Sequence, residues 1–394
     1  MNDIVILSAV RTPVGRYGGT LKDLNSGHLG AIVIKEAIIR AGILAHQVDE
    51  VILGEVRQST ESSNVSRVAA LRAGVPYTTP AFTINRLCAS GMQAVASAAQ
   101  QIAFGQANIV VAGGTESMSN APVYLRNTRF GGDNAKLVDS NTEAGQQPHE
   151  VYGSQLGMGI TAENVAERYN VSRQDQDAFA LESQLRATAA IREDKFMDEI
   201  VPIKITGKKT SFLFSEDEHP RPETTIDTLS KLKPVFKENG TVTAGNACGR
   251  NDGAAALVLT SSSHAENLGL KPIARVIDWA AAGVSPELMG IGPVPAVQKL
   301  LKRTGLTVND IDLFEINEAF ASQALAVIRE LGLDNRRVNV NGGAIALGHP
   351  LGATGAKIMT SLIYELIRRK EKRGIATLCI GGGQGMAILV ERLG

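Results

Sequence analysis

The sequence predicts a layered α/β protein made of two similar halves, with a polar region inserted between them. Three observations carry this. Short apolar runs of strand length, IVILS at 4–8, VDEVILG at 48–54 and ANIVVAGG at 107–114, alternate with helix-length stretches. The segment VDEVILG…INRLCASGMQAVASAAQQI…ANIVVAGG has a counterpart near the C-terminus, NDIDLFEIN…VNVNGGAIALGHPLGATGAKIMTSLIYEL…IATLCIGGG. Aligning Ser90-Gly91 with Thr354-Gly355 puts a strand before, a long apolar-faced helix after and a glycine-terminated strand last in both copies. The period is far too long for a solenoid, so a duplicated unit packed on its copy is expected. Between the copies, RFGGDNAKLVDSNTEAGQQPHE and SEDEHPRPETT are polar and rich in turn formers, while 161–196 reads helical.

Taken in order, 1–120 is expected to form the first half and 121–245 the inserted region. The first half is completed by 246–268, where GRNDGAAALVLTSS at 249–262 returns to the pattern of a buried strand, and 269–394 forms the second half. The clearest helix follows Cys88: Met92, Val95, Ala96, Ala99, Ile102 and Ala103 recur at helical spacing, and Gly105 ends it.

With 394 residues, 44% of them hydrophobic, the chain can bury a large core. Lysine plus arginine equals aspartate plus glutamate at 40 each, so no net field recruits nucleic acid or an anionic membrane. The opening MNDIVILSAVRTP has the length of a strand and lacks the basic and long apolar regions of a signal peptide, which predicts a soluble, cytoplasmic protein. The three cysteines, Cys88, Cys248 and Cys379, are odd in number and far apart, so they read as free thiols, with neither a disulfide framework nor a metal site.

Residues able to carry chemistry lie near the ends of these elements. INRLCASGMQAV at 84–95 places Cys88 at the entry to the clear helix, where unpaired N–H groups and the helix dipole would stabilise a thiolate; the alternative is a small buried hydrophobe. GGAIALGHPLGATGA at 342–356 carries His349 in a glycine-rich turn before another helix, either a base for a nearby thiol or a loop histidine. Cys379 in LCIGGGQG ends a strand whose glycines let backbone N–H groups approach a reacting centre, although IATL before it is plainly core. FEINEAFA at 314–321 ends another strand with Asn317-Glu318, polar groups that could face a ligand, cap a helix or be satisfied internally. A phosphate loop and a Gly-x-Ser-x-Gly elbow are both missing. GGGQGM lacks the last glycine of a dinucleotide fingerprint, so cysteines are the nucleophile candidates.

The motifs NRLCASGMQA, AGGTESMSNAP, GITAENVAERY, GTVTAGNACGRNDGAA, INEAFA, NVNGGAIALGHPLGATGA and CIGGGQG stand in the order found in thiolases, and the chain resembles that family over nearly its whole length. The resemblance implies a five-layered αβαβα fold of two halves with a loop domain, assembled as a homodimer or homotetramer. It implies reversible Claisen chemistry, two acetyl-CoA to acetoacetyl-CoA plus coenzyme A, with no cofactor beyond these substrates. Cys88 would accept the acyl group and His349 would activate it. Cys379 would be the acid/base for the α-proton or the leaving thiol. Asn317 would hold a water that stabilises the thioester oxygen together with His349, and the N–H groups of Cys88 and Gly381 would form a second oxyanion hole. For coenzyme A, the resemblance points to Arg221 near the adenine and to Met158, Phe236, Met289 and Phe320 along the pantetheine channel.

The chain also departs from the family pattern. Cys248 replaces the serine of GNASG, a weaker partner for the pantetheine arm, and LGMGITAEN has Gly157 where short-chain biosynthetic thiolases usually carry histidine before Met158. The stretch NTEAGQQPHEVYGSQ at 141–155 fits the family poorly where acyl pockets are shaped. The alternatives are therefore a 3-ketoacyl-CoA thiolase for longer chains in fatty-acid breakdown and a non-catalytic, thiolase-like coenzyme A-binding protein. A ketoacyl synthase would carry histidine where Cys379 stands.

Overall fold

A computed structural model describes residues 3–131, 134–143, 145–207 and 210–394. Its centre is a ten-stranded sheet ordered Leu313–Ile316, Arg373–Ile380, Gln384–Arg392, Ala274–Gly283, Ile4–Arg11, Asn251–Ser261, Ile109–Ser117, Glu50–Gly54 and Ala81–Ile84, with the short Gly15–Arg16 beside Asn251–Ser261. The order is the same from the middle outwards in both directions. Ile4–Arg11 corresponds to Ala274–Gly283, Asn251–Ser261 to Gln384–Arg392, Ile109–Ser117 to Arg373–Ile380, and Glu50–Gly54 to Leu313–Ile316, and the two sets join where Ile4–Ile6 pairs antiparallel with Ala274–Val276. The outermost strand of the first half is reduced in the second to a single bridge between Phe314 and Val338.

Three apolar cores lie between the resulting layers. One packs Ser26–Arg40 and Val65–Arg72 on the first half's strands, one packs Pro293–Thr304 and Ala321–Leu331 on the second's, and the third surrounds two central helices, Ser90–Ala103 and Leu351–Arg369. The strand Asn251–Ser261 is buried over 251–260, and its middle, GAAALVL at 253–259, is a continuous apolar run and not an alternating one. The central helices meet through small residues. A Cβ on Gly91 would fall 3.0 Å from the Ala356 nitrogen, and one on Gly355 would fall 2.5 Å from the Met92 nitrogen. This reciprocal contact is the register that Ser90-Gly91 aligned with Thr354-Gly355 requires, and it brings both helix N-termini to the molecular centre.

The inserted stretch contains hairpins at Val123–Arg126 with Lys136–Asp139 and at Ile203–Thr206 with Ser211–Phe214. The segment that reads helical over 161–196 holds two helices, Met158–Arg168 and Arg173–Arg192. The break falls where Asn170 turns left-handed at φ 51° and the Ser172 hydroxyl accepts from the Asp175 N–H, a cap that the apolar periodicity does not show. Buried Arg11 ties the insert to the first strand, donating to both Asp217 oxygens at 2.7 and 2.9 Å and to Glu199. Among the described residues, no helix is long and apolar enough to cross a membrane.

Candidate active site

A cavity of about 440 Å³ opens where the ends of the central helices meet the insert. Cys88, Cys248, His349, Cys379 and Gly381 line it, together with Met158, Phe236, Met289 and Phe320. Cys88 sits in a tight turn ahead of the first central helix. Leu87 is held at φ 46°, a rare conformation for a side chain of that size, and Ser90 closes the turn by accepting from the Arg86 N–H at 2.9 Å and donating to the Leu87 carbonyl at 2.6 Å. The half-buried thiol receives backbone N–H groups from Gly381 and from Cys88 itself.

Sequence reasoning expected a depressed thiol pKa at this helix end; the structure gives the opposite direction. Burial pushes the Cys88 thiol up, and the two N–H groups and Arg57 only partly offset it. The helix begins at Ser90, so its dipole acts from beyond the intervening Ala89.

His349 precedes the second central helix and is buried. Gly348 turns the chain at φ 87°, and a Cβ there would fall 2.5 Å from the Asn251 carboxamide carbon; that same side chain accepts from the His349 N–H at 2.9 Å. The imidazole Nδ1 lies 2.6 Å from the Thr354 hydroxyl, which donates to the Pro350 carbonyl at 2.9 Å. With its proton committed, that hydroxyl accepts from Nδ1–H, and Nε2 keeps a lone pair facing the Asn317 amide nitrogen at 3.5 Å. Burial, with the Lys357 charge adding to it, pushes the imidazole down to about 3, so it is neutral at physiological pH.

Cys379 is the penultimate residue of the strand Arg373–Ile380 and packs into an apolar cluster with Ala162, Val242, Met289, Ala319 and Phe320. Burial, then the neighbouring Cys88 and Cys248, pushes its thiol well up. Cys248 is pushed up to about 12 by burial and by Cys88. The three cysteines, spread along the chain, are thus gathered as free thiols in one cavity. Phe236 and Phe320 meet edge to face at 6.3 Å.

Asn317 and Glu318 divide between the readings open to them. Asn317 faces His349. Glu318 is a satisfied internal group, accepting from Ser183 at 2.7 Å, Asn339 at 2.8 Å and the Ile345 N–H at 3.2 Å. Arg221 is exposed and is not brought to the cavity wall; its N–H donates to Gln184 at 2.8 Å. Residues 141–155 contribute Asn141, Thr142, Glu143, Gln146 and Gln155 to the wall.

Sequence reasoning missed three residues beneath the site. Glu116 accepts from the Val56 and Arg57 N–H groups, both at 3.0 Å, and from Gly352 at 2.8 Å, fastening the start of the second central helix to the first half. Arg57 lines the cavity, and Lys357 is buried near His349. The only signal for Lys357 was a charge inside the apolar run GAKIMTSLI.

A thiol under two converging N–H groups, a neutral imidazole with an unprotonated Nε2 and a second buried thiol share one cavity, a set of groups suited to nucleophilic acyl transfer. The N-terminal thiolase domain model matches residues 4–263, and the C-terminal thiolase domain model matches 270–392. An acetyl-CoA acetyltransferase of Syntrophomonas wolfei subsp. wolfei is 51% identical over 99% of both chains. The crystal structure of the Bacillus anthracis acetyl-CoA acetyltransferase superposes with a TM-score of 0.97 at 48% identity, covering 100% of this chain and 99% of that one. Human mitochondrial 3-ketoacyl-CoA thiolase superposes at 0.96 and 45% identity with the same coverage. The chain belongs to the thiolase family.

Proposed function

We propose that the enzyme interconverts two acetyl-CoA with acetoacetyl-CoA plus coenzyme A, through a thioester on Cys88. The observation that carries this is the convergence of Cys88, the Gly381 N–H, His349 and Cys379 on one cavity. Because burial keeps both the Cys88 thiol and the imidazole neutral at rest, no thiolate–imidazolium pair waits for substrate. As the Cys88 sulfur attacks the thioester carbonyl, its proton moves to the free Nε2 of His349. Cys379, a thiol at rest, protonates the departing coenzyme A sulfur. The thiolate left on Cys379 then takes the α-proton of the second acetyl-CoA. The resulting carbanion attacks the acetyl group on Cys88, the carbon–carbon bond forms, and the Cys88 sulfur leaves and recovers its proton from His349.

Each tetrahedral oxyanion needs donors already in place, because oriented N–H groups in a dry site stabilise developing charge by several kcal/mol. The N–H groups of Cys88 and Gly381 supply one set; a water held by Asn317 and His349 supplies the other. Met158, Phe236, Met289, Phe320 and Cys248 form the wall for the pantetheine arm, and Arg221 lies out on the surface where the adenine end would reach. A homodimer or homotetramer is supported by Ala81–Ile84, which ends the sheet with one edge unpaired among the described residues and leads directly into the Cys88 turn.

A 3-ketoacyl-CoA thiolase for longer chains is the second reading, favoured by Gly157 and by the unusual 141–155 segment on the cavity wall. Thiolysis of acetoacetyl-CoA and of a longer 3-ketoacyl-CoA, by wild type and Cys88→Ser, tests both. Preference for the four-carbon substrate supports the acetyl-CoA reaction, and preference for the longer one supports the alternative. Coenzyme A binding without Cys88-dependent turnover leaves a binding protein.

A further inference from the structure

A second, water-sized cavity of about 10 Å³ is lined by Asn317 but not by His349. Glu315, Asn341, Lys357 and Ser361 share its wall. Two of these residues hold a buried polar atom for which the described residues supply no donor: the side-chain oxygens of Asn317 and Asn341. The volume matches a single water, and a buried water is stable when it makes about three hydrogen bonds to groups otherwise unsatisfied. Lys357, with 5% of its surface exposed, forms no contact ion pair among the described residues. Its ammonium group can only donate.

We propose that Lys357 is a positioning residue that holds one buried water in this cavity and through it fixes the Asn317 carboxamide. The water accepts from Lys357 Nζ, which turns both its hydrogens away from the ammonium and towards acceptors. Those acceptors are Asn317 Oδ1 and Asn341 Oδ1, giving three hydrogen bonds. Reversing the Asn317 amide would present its NH2 to a water already aimed as a donor and leave both unpaired, so Nδ2 stays on the His349 side. The Thr354 contact fixes the imidazole tautomer from one side, and Lys357 fixes the amide opposite from the other. Both parts of the polar pair are thereby oriented before substrate arrives.

This inference rests on the acyl-transfer reading above, and the experiment separates the two. A crystal structure of the wild type at a resolution that shows ordered water should place one within hydrogen-bond distance of Lys357 Nζ, Asn317 Oδ1 and Asn341 Oδ1. That result is independent of the substrate and stands even if acetoacetyl-CoA is not turned over. Lys357→Met should lower kcat for thiolysis by roughly 10- to 100-fold with KM within about twofold, as expected for a misaligned group. In an Asn317→Ala background, Lys357→Met should have almost no further effect. An empty cavity, an unchanged kcat, or a full Lys357→Met effect in the Asn317→Ala enzyme would each overturn the proposal.

Discussion

The two halves deliver different side chains from the same architectural place, the turn entering a central helix. In the first half this is Cys88, half-buried at the cavity, with N–H donors on its sulfur and Glu116 and Arg57 beneath. In the second it is His349, fully buried, with its tautomer set by Thr354 and with Lys357 behind it. The helix of the second half begins at Leu351, about a turn earlier than Ser90 does in the register that sets Gly91 against Gly355. Burial acts on the two groups in opposite directions, raising the thiol and lowering the imidazole, and both shifts favour the uncharged form. In the mechanism proposed above, such a pair exchanges a proton only as a substrate carbonyl takes up the charge.

Removing the base should have the largest effect. His349→Ala is expected to reduce kcat/KM by about 10⁴-fold, the upper end for a general base, in both the acylation and the condensation step. Cys379→Ala should cost roughly 10²- to 10³-fold in condensation and should slow, without preventing, the labelling of Cys88 by acetyl-CoA, since the coenzyme A sulfur can leave unprotonated. Mass spectrometry of the Cys88 peptide in both variants separates the roles: equal loss of the adduct in the two enzymes would contradict the division of labour. Cys248→Ser should be milder, lowering KM for acetyl-CoA a few-fold, about the value of one improved hydrogen bond to the pantetheine arm. An unchanged KM would place that arm away from Cys248.

The parts legible in the sequence were those written locally. Cys88, His349 and Cys379 stand beside glycines that punctuate strand and helix ends, and the repeat appears because each unit carries its own strand–helix–strand pattern. What the sequence did not show depends on what packs over each group. The direction of the Cys88 shift follows from burial by the insert and by the 381–383 turn, which comes almost 300 residues later in the chain. Asn317 and Glu318 are neighbours in an irregular stretch between Leu313–Ile316 and Ala321–Leu331, where no periodicity says that one faces the imidazole and the other Ser183 and Asn339. Glu116 and Lys357 looked like charges on otherwise apolar elements, and only the meeting of the two halves explains why they are buried.

The smallest effects are on stability, and they should have opposite signs in the two halves. His349 titrates at about 3 in the fold against 6.5 in the unfolded chain, so between those values the unfolded state holds more protons and stability falls as pH drops through this window. Glu55, beside Glu116 under the first half's site, is raised from 4.5 to about 8, by burial first and then by its neighbour's charge. Between 4.5 and 8 the native state holds the extra proton, so this contribution is lost as pH rises towards 8. Glu55→Gln keeps the volume and the neutral form, so it should leave Tm near pH 5 almost unchanged and raise Tm at pH 8 by a few degrees, on the order of 1 kcal/mol for a chain of this size. His349→Gln should relieve the acid-side loss and leave the alkaline side alone. Calorimetry of the two variants from about pH 3 to 8 would show these opposed slopes. If both variants moved the same limb, the two halves would share one ionisation and could not be treated as separately tuned.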